Sequence, residues 1–282
     1  MAATGSFTAR RRELGSMLRS LRVGTGLTTE QVAWQLGVSR SKISRLENGQ
    51  RGANQVDILR LCELYRVDEA GRLRLTELAA EGKQRAWWSP FTFPHSEYIG
   101  LEPAASSISD WGLALVPGLL QTPEYARAVL RSGVPVQQTH IVDERVRVRL
   151  DRQQLLYSEA APGFEAILDE SVLHRIVGSP AVMLAQLRRL LEMSELPHVT
   201  IRVVPYDAGA VPAGVNKFRI LRFPRSEAAD IVLIEELTGH RYLGTPEQVE
   251  TYNATFRTLV SLSEEPAKSR TMILTKLRTY EL

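Results

Sequence analysis

The chain has 282 residues, a formal net charge of +3 and an apolar content of 44%, values that suit a globular protein of two domains. One cysteine excludes an internal disulfide framework and a cysteine-based zinc site, and no apolar run approaches the ~18 residues of a membrane-spanning helix. The N-terminal residues lack the apolar segment of a secretory signal, so we expect a cytoplasmic protein that binds no membrane.

Charge is distributed unevenly along the chain. Residues 1–66 contain eleven arginines and lysines against five acidic residues, a net charge of +6, so the remainder carries −3. A basic N-terminal part on a mildly acidic remainder predicts that the N-terminal part alone binds a polyanion.

The first predicted elements surround a short motif. Residues 1–9 are expected to be disordered, and a first helix is expected from Arg10 to Val23. Thr28 then forms a capping box with Gln31 at the start of a second helix. Gly37 ends that helix, since glycine tolerates the positive φ needed there.

The next helix begins after Ser39 and turns Ile43 and Leu46 inward. Its outward residues are Arg40, Ser41, Lys42, Ser44 and Arg45. Two helices joined by a glycine turn form a helix-turn-helix, whose second helix enters the major groove of DNA. An ordinary helical hairpin with a solvated basic face is the alternative.

The run SRSKISRLENGQR, preceded by TTEQVAWQLGV, resembles the lambda-repressor-like DNA-binding domains of the xenobiotic-response-element (XRE) type. The resemblance covers residues 10–67 and implies an all-α bundle of five short helices. It implies base contacts from Thr29, Arg40, Ser41 and Arg45. It implies phosphate contacts from Lys42, Ser44, Asn48 and Arg51.

Two further phosphate contacts are expected from Gln31 and Ser39, which lie at helix N-termini whose amide groups suit phosphate oxygens. Relatives that read DNA at the position of Thr29 often carry glutamine, so a phosphate contact alone is the alternative for Thr29.

Beyond the motif, Asn54 is expected to cap a fourth helix, in which Cys62 is a small core residue. Asp68 caps a fifth helix, which either completes the bundle or connects it to the rest of the chain. We assign residues 68–103 to this connecting helix and a strap rich in aromatics and prolines. Within the strap, Trp87 and Trp88 either pack on the second domain or form part of a ligand pocket or dimer contact.

Residues 104–282 show a mixed pattern, which predicts an α+β domain with a mainly antiparallel or mixed sheet. A helix is expected from Gln138 to Tyr157, with its arginines mostly facing solvent. Strands are expected at residues 108–116, 164–168, 198–204, 217–223 and 230–235. Thr122-Pro123, Ser179-Pro180 and Thr245-Pro246 are signals for helix starts.

This second domain resembles the effector-side domain of a group of actinobacterial XRE regulators, often described as antitoxin-like. The resemblance rests on LVPGLLQTPEYARAVL, DERVRVRLDRQQLL, VMLAQLRRLLEM and VTIRVVP. It implies a domain that senses a ligand or binds a partner, without naming site residues. We expect the dimer interface to lie in this domain, because the N-terminal domain is small and polar.

Signatures of other chemistry are absent from the sequence. The five histidines are scattered, and there is neither a phosphate-binding Gly-x-x-x-x-Gly-Lys loop nor a Gly-x-Ser-x-Gly elbow. We therefore expect no enzyme, no catalytic residues, no metal and no cofactor.

The sequence thus predicts a sequence-specific transcriptional regulator that binds double-stranded DNA as a homodimer on a pseudo-palindromic operator. The C-terminal domain would sense a small molecule or a partner protein. An alternative is an antitoxin-like protein that sequesters a small partner from a neighbouring gene and regulates its own operon. A third interpretation is an enzyme fused to a DNA-targeting domain.

Overall fold

A computed structural model describes residues 6–49, 52–82, 99–132, 139–212, 216–224, 229–236 and 239–281. The chain divides into two compact units, and the main boundary lies between Ala104 and Ala105. The first unit holds a bundle of helices, and the second holds a mixed sheet with helices. The predicted fold class is thereby confirmed.

The helices of the first unit have the starts that the sequence predicts. Hydroxyl or carboxylate oxygens of Thr28, Ser39 and Asp68 accept hydrogen bonds from the backbone three residues on, as does the amide oxygen of Asn54. Gly37 has a φ of 66° and ends the second helix. The helices are α1 (Ser6–Gly24), α2 (Thr29–Leu36), α3 (Arg40–Glu47), α4 (Gln55–Tyr65) and α5 (Glu69–Glu81).

Helix α1 begins four residues before the expected Arg10. Residues 6–9, expected to be disordered, are helical. They contain neither glycine nor proline, so nothing in the local sequence stops the helix from extending in that direction.

Helix α5 completes the bundle, although the sequence alone could not separate this role from that of a connector. Its residues Leu75, Leu78 and Ala79 lie in one buried cluster with Leu14 and Leu18 of α1. The N-terminal domain therefore extends through α5, beyond the boundary expected at residue 67. The apolar face of α5 was visible in the sequence, but the surface that covers it was not.

A close contact joins α1 to the end of α3. A Cβ atom at Gly15 would lie 2.5 Å from the carbonyl oxygen of Glu47 and 2.6 Å from that of Leu46. Only glycine allows the two backbones to approach so closely. Gly49, with a φ of 68°, likewise leaves room for Arg12.

The second unit is built on six strands. They are β1 (Ser107–Gly112), β2 (Gly163–Asp169), β3 (Val199–Val204), β4 (Phe218–Arg222), β5 (Ile231–Glu236) and β6 (Gly239–Leu243). The helices are α6 (Pro123–Ser132), α7 (Thr139–Gln153), α8 (Ser171–His174), α9 (Pro180–Met193), α10 (Pro246–Leu262) and α11 (Pro266–Arg278).

The sheet has the strand order β3-β2-β1-β4-β5-β6 and two different halves. Strands β1, β2 and β3 are parallel, and helices lie between them in sequence, as parallel crossovers require. Strands β4, β5 and β6 form an antiparallel meander that joins β1. One face packs Trp111, Ile167 and Ile220 with Phe256 and Leu259 of α10.

Two expectations about the strands were incomplete. Strand β6 was not predicted because GHRYL has no apolar run. Strand β1 ends at Gly112 rather than at Val116. The residues that follow form a loop, in which Val116 is buried. The side-chain amide of Gln121 donates to the carbonyl oxygen of Val116 at 2.6 Å, and Val116 N donates to Tyr125 Oη at 3.2 Å.

Three buried glutamines hold the segment between β1 and α6. Gln153 Nε2 donates to the carbonyl oxygens of Gly118 and Gln121, at 3.0 and 2.8 Å. The amide of Gln186 accepts from Thr122 N and donates to the carbonyl oxygen of Leu120, both at 2.8 Å. We call Gln121, Gln153 and Gln186 the glutamine network.

An arginine of α7 also belongs to this region. Arg149 Nη1 donates to Gln121 Oε1 at 2.7 Å, and Arg152 is buried. The expectation that the arginines of this helix mostly face solvent was therefore wrong for Arg152. The reason is that its face of α7 packs on the loop at Gly118.

Candidate nucleic-acid interface

The outer face of α3 carries the residues expected to read bases. Ile43 and Leu46 are buried and fix which face of the helix points inward. Arg40, Ser41 and Arg45 are exposed. Because residues four apart lie on the same side of a helix, Ser41 and Arg45 are neighbours. Together with Arg40 we call them the strip on α3.

This strip is ordered by local hydrogen bonds. Arg45 Nε donates to the carbonyl oxygen of Ser41 at 3.2 Å, and its Nη2 lies 3.5 Å from Ser41 Oγ. Ser41 Oγ lies 3.2 Å from Ser39 Oγ, which also caps α3 by accepting from Lys42 N at 3.3 Å. Hydroxyl and guanidinium groups of this kind match the donor and acceptor pattern of major-groove base edges.

A bidentate ion pair fixes α3 against α1. Arg22 Nε and Nη2 donate to the two carboxylate oxygens of Glu47, at 2.6 and 2.9 Å, and the side chains are 13% and 6% exposed. Arg22 Nη1 also donates to the carbonyl oxygen of Leu27 at 2.8 Å. The hydrogen bond to Glu47 raises the pKa of Arg22. We call Arg22 and Glu47 the α1–α3 clamp.

The expected contacts on α2 are engaged in its own N-terminus. Gln31 completes the capping box, since its Oε1 accepts from Thr28 N at 2.8 Å. Thr29 Oγ1 donates to Glu30 Oε2 at 3.0 Å. The side chains of Gln31 and Thr29 thus support the start of α2, where backbone amides are available to a phosphate.

Lys42 is not an isolated cation. Its Nζ lies 2.9 and 2.8 Å from the two carboxylate oxygens of Asp57 on α4, and both side chains are largely buried. Lys42 can therefore bring its full positive charge to a phosphate only if its ion pair with Asp57 is broken. The other expected phosphate contacts, Ser44 and Asn48, lie 3.5 Å apart through Oγ and Nδ2. Arg51 lies outside the described residues, as do Trp87 and Trp88.

The arginines at the start of α1 are tied to α5. Arg10 Nε lies 2.9 Å from Glu81 Oε2, and Arg11 Nε donates to the carbonyl oxygen of Gly82 at 2.6 Å. Both side chains therefore support the C-terminal end of α5. These bonds give Arg10 and Arg11 a structural role within the bundle.

One acidic residue at the interface was missed by the sequence analysis. Glu30 on α2 lies 2.8 Å from Arg40 Nε on α3. The two residues are ten positions apart across a turn, so no helical spacing rule links them. The sequence therefore held no signal for this pair.

Other chemistry finds little support in the described part of the chain. Within those residues, no group of three histidine, cysteine or acidic side chains is placed to hold a metal ion. Cys62 lies in the core of the N-terminal domain, and burial raises the pKa of its thiol. No helix among the residues described is both long and apolar enough to cross a membrane.

Comparison with known families agrees with this division of the chain. Residues 13–75 match the family described as a helix-turn-helix domain, and this match supports DNA binding by the N-terminal bundle. The match reaches into α5, in keeping with the place of α5 in the bundle. Neither the curated proteins nor the solved structures contain a match to the chain. Residues 95–275 match a second family over more than half of the 282 residues, and the chain therefore belongs to the family described as domain of unknown function DUF5753.

Proposed function

We propose that the protein is a sequence-specific transcriptional regulator that binds double-stranded DNA through α3. The observation that carries this proposal is the exposed strip of Arg40, Ser41 and Arg45 on a helix whose inner face is fixed by the α1–α3 clamp. A rigid helix with outward arginine and serine is suited to reading base edges, because small displacements would break bidentate hydrogen bonds.

The proposed regulator is a homodimer. One recognition helix covers only a few base pairs, which is too few to distinguish one site among the many in a genome. Two such helices about one DNA turn apart, ~34 Å, would read a pseudo-palindromic operator.

In this proposal the C-terminal domain acts by binding rather than by catalysis. It senses a small molecule or a partner protein, and that ligand changes the geometry of the two DNA-binding domains. The ligand must bind the two arrangements with different affinity, since otherwise it shifts no equilibrium. Sequestration of a small partner encoded by a neighbouring gene is the antitoxin-like form of the same binding role.

Selection from a library of random duplexes tests the proposal. We expect the full-length protein to enrich a motif with two related half-sites, and light scattering of the complex to give two chains per duplex. The variant carrying both Arg40→Ala and Arg45→Ala should enrich no motif while retaining the wild-type circular dichroism spectrum. Enrichment of no motif by the wild-type protein would contradict a base-reading function.

A further inference from the structure

Glu30 holds a bridging position between α2 and α3. One of its carboxylate oxygens, Oε1, lies 2.8 Å from Arg40 Nε, and the other, Oε2, accepts from Thr29 Oγ1 at 3.0 Å. The carboxylate thus links the first residue of α2 to the first residue of α3. Both ends of the ion pair are exposed, with 70% of the Arg40 side chain and 55% of the Glu30 side chain accessible.

We infer that Glu30 is a positioning residue that orients Arg40 for base recognition. This inference rests on the proposed DNA-reading function. Because Glu30 holds Arg40 through Nε, the two terminal nitrogens, Nη1 and Nη2, form the edge that is presented outward. That edge has the geometry for a bidentate contact with the O6 and N7 acceptors of guanine.

The ion pair of Glu30 and Arg40 contributes little to the stability of the fold. An exposed pair of this kind contributes little stability in water, because solvent screens the charges and two long side chains must be ordered. The α1–α3 clamp already fixes α3 by a bidentate contact that is largely buried. Inside a DNA complex the same exposed pair would lose water, and its attraction would become stronger.

A carboxylate at this position otherwise opposes DNA binding. Its negative charge repels nearby phosphates, so Glu30 lowers affinity for every duplex regardless of sequence. The pKa of Glu30 is lowered, first by a hydrogen bond from its own backbone N–H and then by the Thr29 hydroxyl. Glu30 is therefore negatively charged at neutral pH. A residue that weakens general binding while ordering Arg40 exchanges affinity for discrimination.

These two effects give Glu30 a signature that a structural residue lacks. Removing Glu30 should leave binding to random DNA unchanged or strengthen it, and should reduce discrimination at the base pair that Arg40 reads. A residue needed only for folding would weaken binding to operator and random DNA together. A residue that only repels phosphate would strengthen both together.

The test compares Glu30→Ala with Glu63→Ala, which removes the same charge from an exposed position of α4. The position read by Arg40 is first identified as the one at which Arg40→Ala loses its preference in duplex selection. Competition binding then uses the selected operator, the operator substituted at that position, and random duplex. Thermal unfolding checks that each variant is folded.

We expect Glu30→Ala to reduce discrimination at the Arg40 position about three- to tenfold, a part of the effect of one bidentate base contact. Affinity for random duplex should stay equal or rise, and Glu63→Ala should change neither quantity. In an Arg40→Ala background the Glu30 substitution should cause no further loss of discrimination, as a double-mutant cycle requires for coupled residues. Glu30→Gln, which retains the shape of the side chain, should show a smaller change in the same direction.

Unchanged discrimination in Glu30→Ala and Glu30→Gln, with a motif still enriched by the wild-type protein, would overturn the role of Glu30 and leave the proposed function standing. Equal losses on operator and random duplex, or a loss spread over positions that Arg45 reads, would also overturn it. Failure of the wild-type protein to enrich any motif would remove the proposed function and the role of Glu30 together.

Discussion

The outer face of α3 and the glutamine network are both polar, yet they use their polar groups in opposite ways. On α3, Arg40, Ser41 and Arg45 point into solvent from a helix whose other side is buried. In the C-terminal domain, the amides of Gln121, Gln153 and Gln186 are buried and bound to backbone groups. The first arrangement is suited to a ligand outside the chain, whereas the second satisfies backbone that would otherwise be buried without partners.

This difference changes how the segment LVPGLLQTPEYA is interpreted. The segment is among those that carry the resemblance of the C-terminal domain, and such a segment invites assignment as a binding site. Its glutamine and threonine instead hold the loop that follows β1. Gln121 and Thr122 therefore serve the architecture of the domain.

The largest effect that would test the comparison is expected from the α1–α3 clamp. Glu47→Ala removes the partner of Arg22, and breaking a largely buried ion pair costs about 3–5 kcal/mol. The chain has one cysteine, Cys62, in the core of the N-terminal domain, so its alkylation during urea unfolding reports on that domain. Glu77→Ala, at an exposed position of α5, is the control. An unchanged labelling rate in Glu47→Ala would mean that α3 does not depend on the clamp.

The glutamine network should give the next largest effect, confined to stability. Gln186→Leu leaves Thr122 N and the carbonyl oxygen of Leu120 without their partners, at a cost of about 2–4 kcal/mol for the two groups. Hydrogen exchange of the Thr122 amide measures the change. Gln154→Leu replaces an exposed glutamine and should have little effect. The selected DNA motif should remain that of the wild type, and an altered motif would show that the two polar regions are not independent in function.

The strip on α3 should behave in the reverse manner. Arg45→Ala should weaken operator binding by about 1–3 kcal/mol and relax the preference at one or two base pairs. Since Arg45 is exposed, its replacement should change the free energy of unfolding of the N-terminal domain by less than about 0.5 kcal/mol. Binding titrations with operator and random duplex measure the loss of affinity, and urea unfolding measures the change in stability. Arg72→Ala on α5 is the control for lost charge. Equal losses on the two duplexes would show that Arg45 does not read bases.

The smallest expected effect concerns Lys42, which lies between the two extremes as a cation already paired within the domain. Asp57→Asn removes its partner, so one more positive charge becomes available to phosphate. We expect the salt dependence of binding to steepen by about one unit, on operator and random duplex alike. Glu63→Gln removes a charge of the same sign from elsewhere on α4. The same slope in Asp57→Asn and the wild type would place Lys42 away from the phosphates.

Local features of this fold were predictable because their physics is local. The capping box of Thr28 and Gln31, and the positive φ of Gly37, depend only on residues a few positions apart. The helix starts at Thr122, Ser179 and Thr245 were confirmed for the same reason.

Partners that are distant in sequence were not predictable. Arg22 and Glu47 are 25 positions apart, and Lys42 and Asp57 are 15 apart. Periodicity shows which face of a helix is polar, but it does not show which other element meets that face. The burial of Arg152 was missed on the same grounds, because its contact is with a loop rather than with its own helix.

The absence of a side chain at Gly15 restricts how the position of α3 could be changed. With α1 resting directly on the last carbonyl groups of α3, a tilt of α3 toward α1 would drive backbone into backbone. In the proposed regulator, an effector therefore cannot act by tilting α3 toward α1 within an intact bundle. We expect a signal to move the bundle as one body instead, so that backbone mobility measured inside the bundle is the same with and without the signal.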